Sequence, residues 1–136
     1  MRSKPLVLLI DDEEMFLEIA SVKLKSDGFD TIETQDFRDA LAKAESLLPD
    51  LVLSDIYMAP GPTGWDLALE LRRNPKTREI KIAFFTSLRD PWLELKKDKD
   101  TVIAELGGHV TFFSKTDDVD ILADGVSKLI NAGATK

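Results

Sequence analysis

The sequence has no cysteine and a single histidine, His109. Disulfides, thiolate metal centres and cysteine nucleophiles are therefore excluded, and a histidine-rich metal site cannot be assembled. Long hydrophobic runs are missing too. The longest, Leu6 to Ile10, falls far short of the roughly 20 residues that cross a bilayer and of a secretory apolar region. A soluble cytoplasmic protein with no membrane partner is the expectation. Positive charge is in deficit, with 18 Lys and Arg against 25 Asp and Glu and a formal charge of −7. That balance argues against nucleic acid as a partner, because phosphate contacts need clustered basic side chains.

What is present suits one packed domain. The 136 residues are 43% hydrophobic and 32% charged, enough apolar material for a core and too much for a disordered chain. Predicted strands and helices alternate. "PLVLLI" (Pro5–Ile10) is a continuous apolar run, the mark of a strand covered on both faces. After "DDEE" a helical stripe carries Phe16, Ile19, Ala20 and Leu24, and Gly28 supplies a left-handed stop. "TIET" (Thr31–Thr34) is a short second strand. Asp36 then N-caps a helix carrying Phe37, Leu41, Ala44 and Leu48, closed by Pro49.

The third strand spans Leu51–Ser54, and a helix runs from Gly64 to Arg73. "IKIAFFTS" (Ile80–Ser87) is the fourth strand, followed by a helical segment from about Pro91 to Leu106. "VTFFS" (Val110–Ser114) is the fifth strand. The last helix carries Leu122, Val126, Leu129 and Ile130. No internal repeat or linker interrupts the pattern. Five βα units with apolar strands predict an α/β fold, a doubly wound parallel sheet with helices on both faces. Ligands of such sheets bind at the carboxyl ends of the strands.

Those ends carry a consistent chemistry. The first strand ends in Asp11 and Asp12, the third in Asp55, the fourth in Thr86 and the fifth in Lys115. On one sheet edge, three carboxylates, a hydroxyl and an ammonium converge. Clustered carboxylates repel unless a cation neutralises them, and a hard ion such as Mg²⁺ suits an open oxygen site. A carboxylate facing an ion, a lysine and a hydroxyl is equipped for phosphoryl transfer. Asp55, alone at its strand end, is the nucleophile candidate, and the acidic pair is placed for the metal.

In this order, "LLIDDEE", "PDLVLSDIYMAP", "FFTS" and "FFSKT" resemble the receiver domain of two-component response regulators. The resemblance spans nearly the whole chain, as one receiver domain over residues 1–136 with a core of about residues 5–131. It implies a flavodoxin-like sheet of order 2-1-3-4-5. Asp55 then matches the phosphoacceptor, Asp12 the direct Mg²⁺ ligand and Asp11 the acid that holds the ion through water. The backbone carbonyl of Tyr57 completes the protein ligands. Thr86 matches the switch hydroxyl, Lys115 the lysine that pairs with the phosphoryl group, and Phe112 the switch aromatic. The implied partners are a histidine kinase or histidine phosphotransfer protein, and a downstream protein on the face of helix 4, strand 5 and helix 5. Such a module is a phosphoacceptor rather than an enzyme, and it stands alone or belongs to a longer protein.

Four departures from the family pattern stand out. Thr116 occupies the place of a proline that is often cis; a cis bond before a non-proline residue costs about 2.5–4 kcal/mol, so a trans bond is expected. Gly64 lies one residue further from Asp55 than usual, as if Ala59 were inserted, and Pro60 and Pro62 stiffen the loop. Ser87 stands where alanine is common. The stretch between Thr86 and Lys115 is longer, with the additions in "LRDPWLELKKDKDTV", where Trp92 is expected to shape a partner-specific face.

Taken singly, each residue has a plainer role. Asp11 or Asp12 could be a helix N-cap, Thr86 an ordinary strand residue, Lys115 a surface lysine, Trp65 a packing residue and His109 a turn residue. The five-residue set favours phosphorylation-controlled signalling. The alternative is a degenerate receiver used as a phosphorylation-independent interaction module. A dehalogenase-like phosphatase fits less well, since "DDEEMF" lacks D-x-D-x-T.

Overall fold

The computed structural model describes residues 3–56, 63–86, 99–106, 111–115 and 118–132. Its strands are β1 (Leu6–Ile10), β2 (Asp30–Thr34), β3 (Leu51–Asp55), β4 (Lys81–Thr86) and β5 (Phe112–Ser114). They form one sheet of order β2-β1-β3-β4-β5, and every pairing is parallel. The helices are α1 (Glu14–Ser26), α2 (Phe37–Leu47), α3 (Gly64–Arg73), α4 (Lys99–Glu105) and α5 (Val119–Ala132).

The continuous apolar strands are buried because both of their faces are covered. Side chains alternate across a strand, so Val7, Leu9, Leu51 and Leu53 pack with Leu17, Leu24, Leu122 and Val126 of α1 and α5. Leu8, Ile10 and Val52 turn the other way, onto Ala40, Ala44, Leu67 and Leu71 of α2 and α3. A third cluster, under the strand ends of β3 and β4, contains Ile56, Trp65, Ala68, Phe84 and Leu106.

Local signals behave largely as expected. Gly28 has φ +96° after α1. Asp36 caps α2, its carboxylate accepting the Asp39 N–H at 2.8 Å. Two inward assignments are corrected. Ile19 is exposed (53%), and the buried stripe of α1 is Leu17, Ala20, Ser21 and Leu24. The stripe is turned by about one residue, which brings the Ser21 hydroxyl against that of Thr31 on β2 at 2.5 Å. Leu48 is also exposed, because α2 ends one residue earlier and Leu48 forms its left-handed cap at φ 47°. The predicted segment from Pro91 to residue 98, the loop with Ala59, Pro60 and Pro62, Ser87, Trp92, His109 and the Lys115–Thr116 bond lie outside the described residues.

Candidate functional site

Parallel pairing brings the ends of β1, β3, β4 and β5 to one edge. Asp11 follows β1 and is fully buried; Asp55 closes β3 opposite Phe85 and is 5% exposed. One carboxylate oxygen from each of Asp11, Asp12, Glu13 and Asp55 lies within 4.8 Å of the others. The predicted trio is therefore assembled, with Glu13 as a fourth member.

Lys115 comes from the far edge of the sheet. Its N–H donates to the Thr86 carbonyl at 3.0 Å, which extends the β4–β5 ladder and aims the side chain back over the strand ends. Its Nζ lies 2.7 Å from Asp11, 2.7 Å from Glu13 and 3.2 Å from Asp55. The rings of Phe16 and Phe85 flank the ammonium, with centroids at 5.1 and 5.4 Å. Such cation–π contacts shield the charge from water while keeping it favourable.

Electrostatics follow from this crowding. Burial pushes the Asp11 carboxyl up to about 7; the Lys115 hydrogen bond opposes that rise and the Asp55 charge adds to it. For Lys115, burial works against the ammonium, but hydrogen bonds to Asp11 and Glu13 and the charge of Asp55 outweigh it. The result is a pKa above the usual lysine value. The site thus already accommodates one cation amid four acids. Oxygen-only donors, with Asp12 on the exposed side, fit a hard divalent ion that keeps water ligands.

Of the remaining predicted residues, Thr86 is buried at the end of β4, one residue past Phe85, the partner of Asp55 in the sheet. Phe112 lies at the start of β5, opposite Phe84 and half-buried. Its ring lies edge-on to Trp65 with centroids 5.7 Å apart, and tilted by 33° against Phe84 at 6.0 Å. That contact is on the opposite sheet face from Phe85 and Phe113, so Phe112 is not part of the acid cluster. Tyr57 lies outside the described residues. Glu13, Phe16 and Phe85 were missed as site residues. Glu13 stands third in "DDEE" with nothing in the sequence to pair it with Lys115, and the two aromatics read as ordinary residues of a helical stripe and a strand.

A sequence model described as the response regulator receiver domain matches residues 7–97. The chain belongs to the receiver domain family. The phosphate regulon transcriptional regulatory protein PhoB of Pseudomonas aeruginosa is 35% identical to this receiver over 81 residues, 60% of the chain and 35% of that protein. The DNA-binding response regulator MtrA of Mycobacterium leprae is 33% identical over 97 residues, 71% of this chain and 43% of that protein. The receiver spans well under half the length of these relatives. Among solved structures, the receiver of a signal transduction histidine kinase from Syntrophus aciditrophicus is 26% identical, with TM-score 0.76. That match covers 94% of this chain and 91% of that one. The chemotaxis response regulator CheY4 of Vibrio cholerae has TM-score 0.77 at 23% identity, covering 93% of this chain and 99% of that one, a likeness of fold. Receivers are signalling domains of two-component systems that bind Mg²⁺ at an acidic pocket and interact with histidine kinases and effectors. No helix among the described residues of this receiver is long and apolar enough to cross a membrane.

Proposed function

We propose that this receiver takes a phosphoryl group from a histidine kinase or histidine phosphotransfer protein onto Asp55, in the cytoplasm, and signals through a changed surface. The observation that carries the reading is the convergence of Asp11, Asp12 and Asp55 on Lys115 at one sheet edge. An Asp55 oxygen attacks the phosphorus of phosphohistidine, the P–N bond breaks, and its electron pair stays on the imidazole. Asp11, Asp12 and Asp55, with the Tyr57 carbonyl, would hold Mg²⁺, which supplies charge neutralisation for the phosphoryl oxygens. Lys115, 3.2 Å from the Asp55 carboxylate, is within reach of the same oxygens. Water later attacks the mixed anhydride and restores the carboxylate.

An open cleft of about 320 Å³ beside Lys115, lined by Phe16, Ile19, Val119 and Leu122, supports access by a donor protein. The dianion on Asp55 then draws on the Thr86 hydroxyl and Lys115. Because β5 is hydrogen-bonded to β4 through Thr86, that pull reaches Phe112 and the α4-β5-α5 face, where a downstream protein binds.

Incubation with acetyl phosphate and Mg²⁺, followed by intact mass, tests the reading. A phosphoryl adduct is expected, absent in Asp55→Asn and absent when a chelator removes the ion. No adduct at any Mg²⁺ concentration would instead mark a receiver that works as a phosphorylation-independent interaction module.

A further inference from the structure

Glu13 holds the N-cap position of α1, yet its side chain makes no capping hydrogen bond. A cap residue ordinarily turns its oxygen onto the free N–H groups of the first turn. Here the carboxylate turns away, and Oε1 accepts from Lys115 Nζ at 2.7 Å. That distance equals the one to Asp11 and is shorter than the 3.2 Å to Asp55. The three acids differ in their access to water. The Glu13 side chain is 63% exposed, against 0% for Asp11 and 8% for Asp55.

We propose that Glu13 is a positioning residue: a latch that holds the Lys115 ammonium at the rim of the acid cluster and gives it up when a phosphoryl group forms on Asp55. The order of release follows from burial. An ion pair with one partner in water is screened and weak. Breaking the pair with fully buried Asp11 would strand a charge in the interior. Of the three contacts on Nζ, the Glu13 contact therefore yields first. The latch is also anchored, because the Glu13 N–H donates to Asp11 Oδ1 at 3.1 Å. Main chain and side chain of one residue thus orient both members of the buried pair. Glu13 and an incoming phosphoryl group compete for the same ammonium, so the latch sets how strongly Lys115 engages that group. A residue serving only helix α1 or overall charge would act independently of Lys115.

Glu13→Gln in the full chain keeps the side-chain size and the main-chain hydrogen bond while removing the charge. The first measurement uses metal-free protein and no phosphoryl donor, reading proton exchange of the Lys115 ammonium by NMR of nitrogen-15 lysine-labelled samples. Loss of an exposed pair predicts exchange about threefold faster in Glu13→Gln, and slower again in Glu13→Asp. Unchanged exchange would overturn the latch whatever Asp55 does. The second rests on Asp55 being the acceptor and uses beryllofluoride with Mg²⁺ as the phosphoryl mimic, followed by tryptophan fluorescence. Binding about threefold tighter is expected in Glu13→Gln, with the difference gone in a Lys115→Met background. The same change in that background, or looser binding together with weaker Mg²⁺ binding, would make Glu13 something other than a latch. If wild-type protein takes neither beryllofluoride nor acetyl phosphate, the acceptor reading fails, and the exchange measurement alone still decides the latch.

Discussion

Asp11 is a fully buried carboxylate whose nearest charges include another carboxylate, and its pKa of about 7 records the burial first and the Asp55 charge after it. The folded value lies above the ordinary 3.8. Stability from this group is therefore full below pH 3.8 and is lost as pH rises through 7. In metal-free protein, Asp11→Asn removes that loss. Its stability relative to wild type should improve by about 2 to 3 kcal/mol between pH 5 and pH 8. Urea denaturation at the two pH values measures it, and a gap that stays flat would mean Asp11 titrates like an exposed acid. The acids were legible in the sequence because each follows an apolar run whose end must lie on one sheet edge. Glu13 was not, since only the path of Lys115 from β5 shows which of the acids in "DDEE" it meets. Phe16 and Phe85, with ring centroids 4.7 Å apart and planes tilted by 42°, were hidden for the same reason.

Among the described elements, α3 presses closely on the acceptor position. Gly64 donates its N–H to the Ile56 carbonyl at 2.7 Å. A Cβ at Gly64 would sit 2.3 Å from the Asp55 carbonyl oxygen and 3.0 Å from the Ile56 Cα, backbone atoms that cannot swing aside. Gly64→Ala should therefore cost about 1–3 kcal/mol of stability and slow phosphoryl uptake by displacing Asp55. One residue earlier, Thr63 forms a capping box with Asp66, and its hydroxyl oxygen accepts the Asp66 N–H. Thr63→Ala should cost about 1 kcal/mol and leave uptake by the folded protein near wild type. Denaturation paired with an acetyl phosphate time course separates the two. Equal uptake in both variants would show that the close approach of α3 does not position Asp55. Helix α3 was read from sequence with its observed bounds, whereas in α1 the inward face was misjudged at Ile19. Two stripes sharing Ala20 and Leu24 satisfy the same spacing, and only the packing of Ser21 on Thr31 decides between them.

Across the whole molecule, the layers follow from strand alternation, but the closure of the sheet's far side does not. Lys81, at the start of β4, donates to the carbonyls of Leu129 and Ile130 at 2.6 and 3.1 Å and so fastens the last turn of α5 to the sheet. No periodicity announces such a contact between residues so distant in sequence. The family match stops at residue 97, so the place of Lys115 in the site depends on the parallel β4–β5 register. Among the described residues, four acids on one edge with one resident ammonium leave the folded state with repulsion that the unfolded chain lacks. A divalent ion bound only by the folded state should stabilise it, by about 2.7 kcal/mol at one hundred times its dissociation constant. Because a metal-binding carboxylate must lose its proton, the gain should be small at pH 5.5, grow through pH 7 and level off by pH 8. Thermal unfolding with Mg²⁺ or a chelator across that range checks it. A melting shift that is absent, or the same at every pH, would show that Asp11 takes no part in holding the ion.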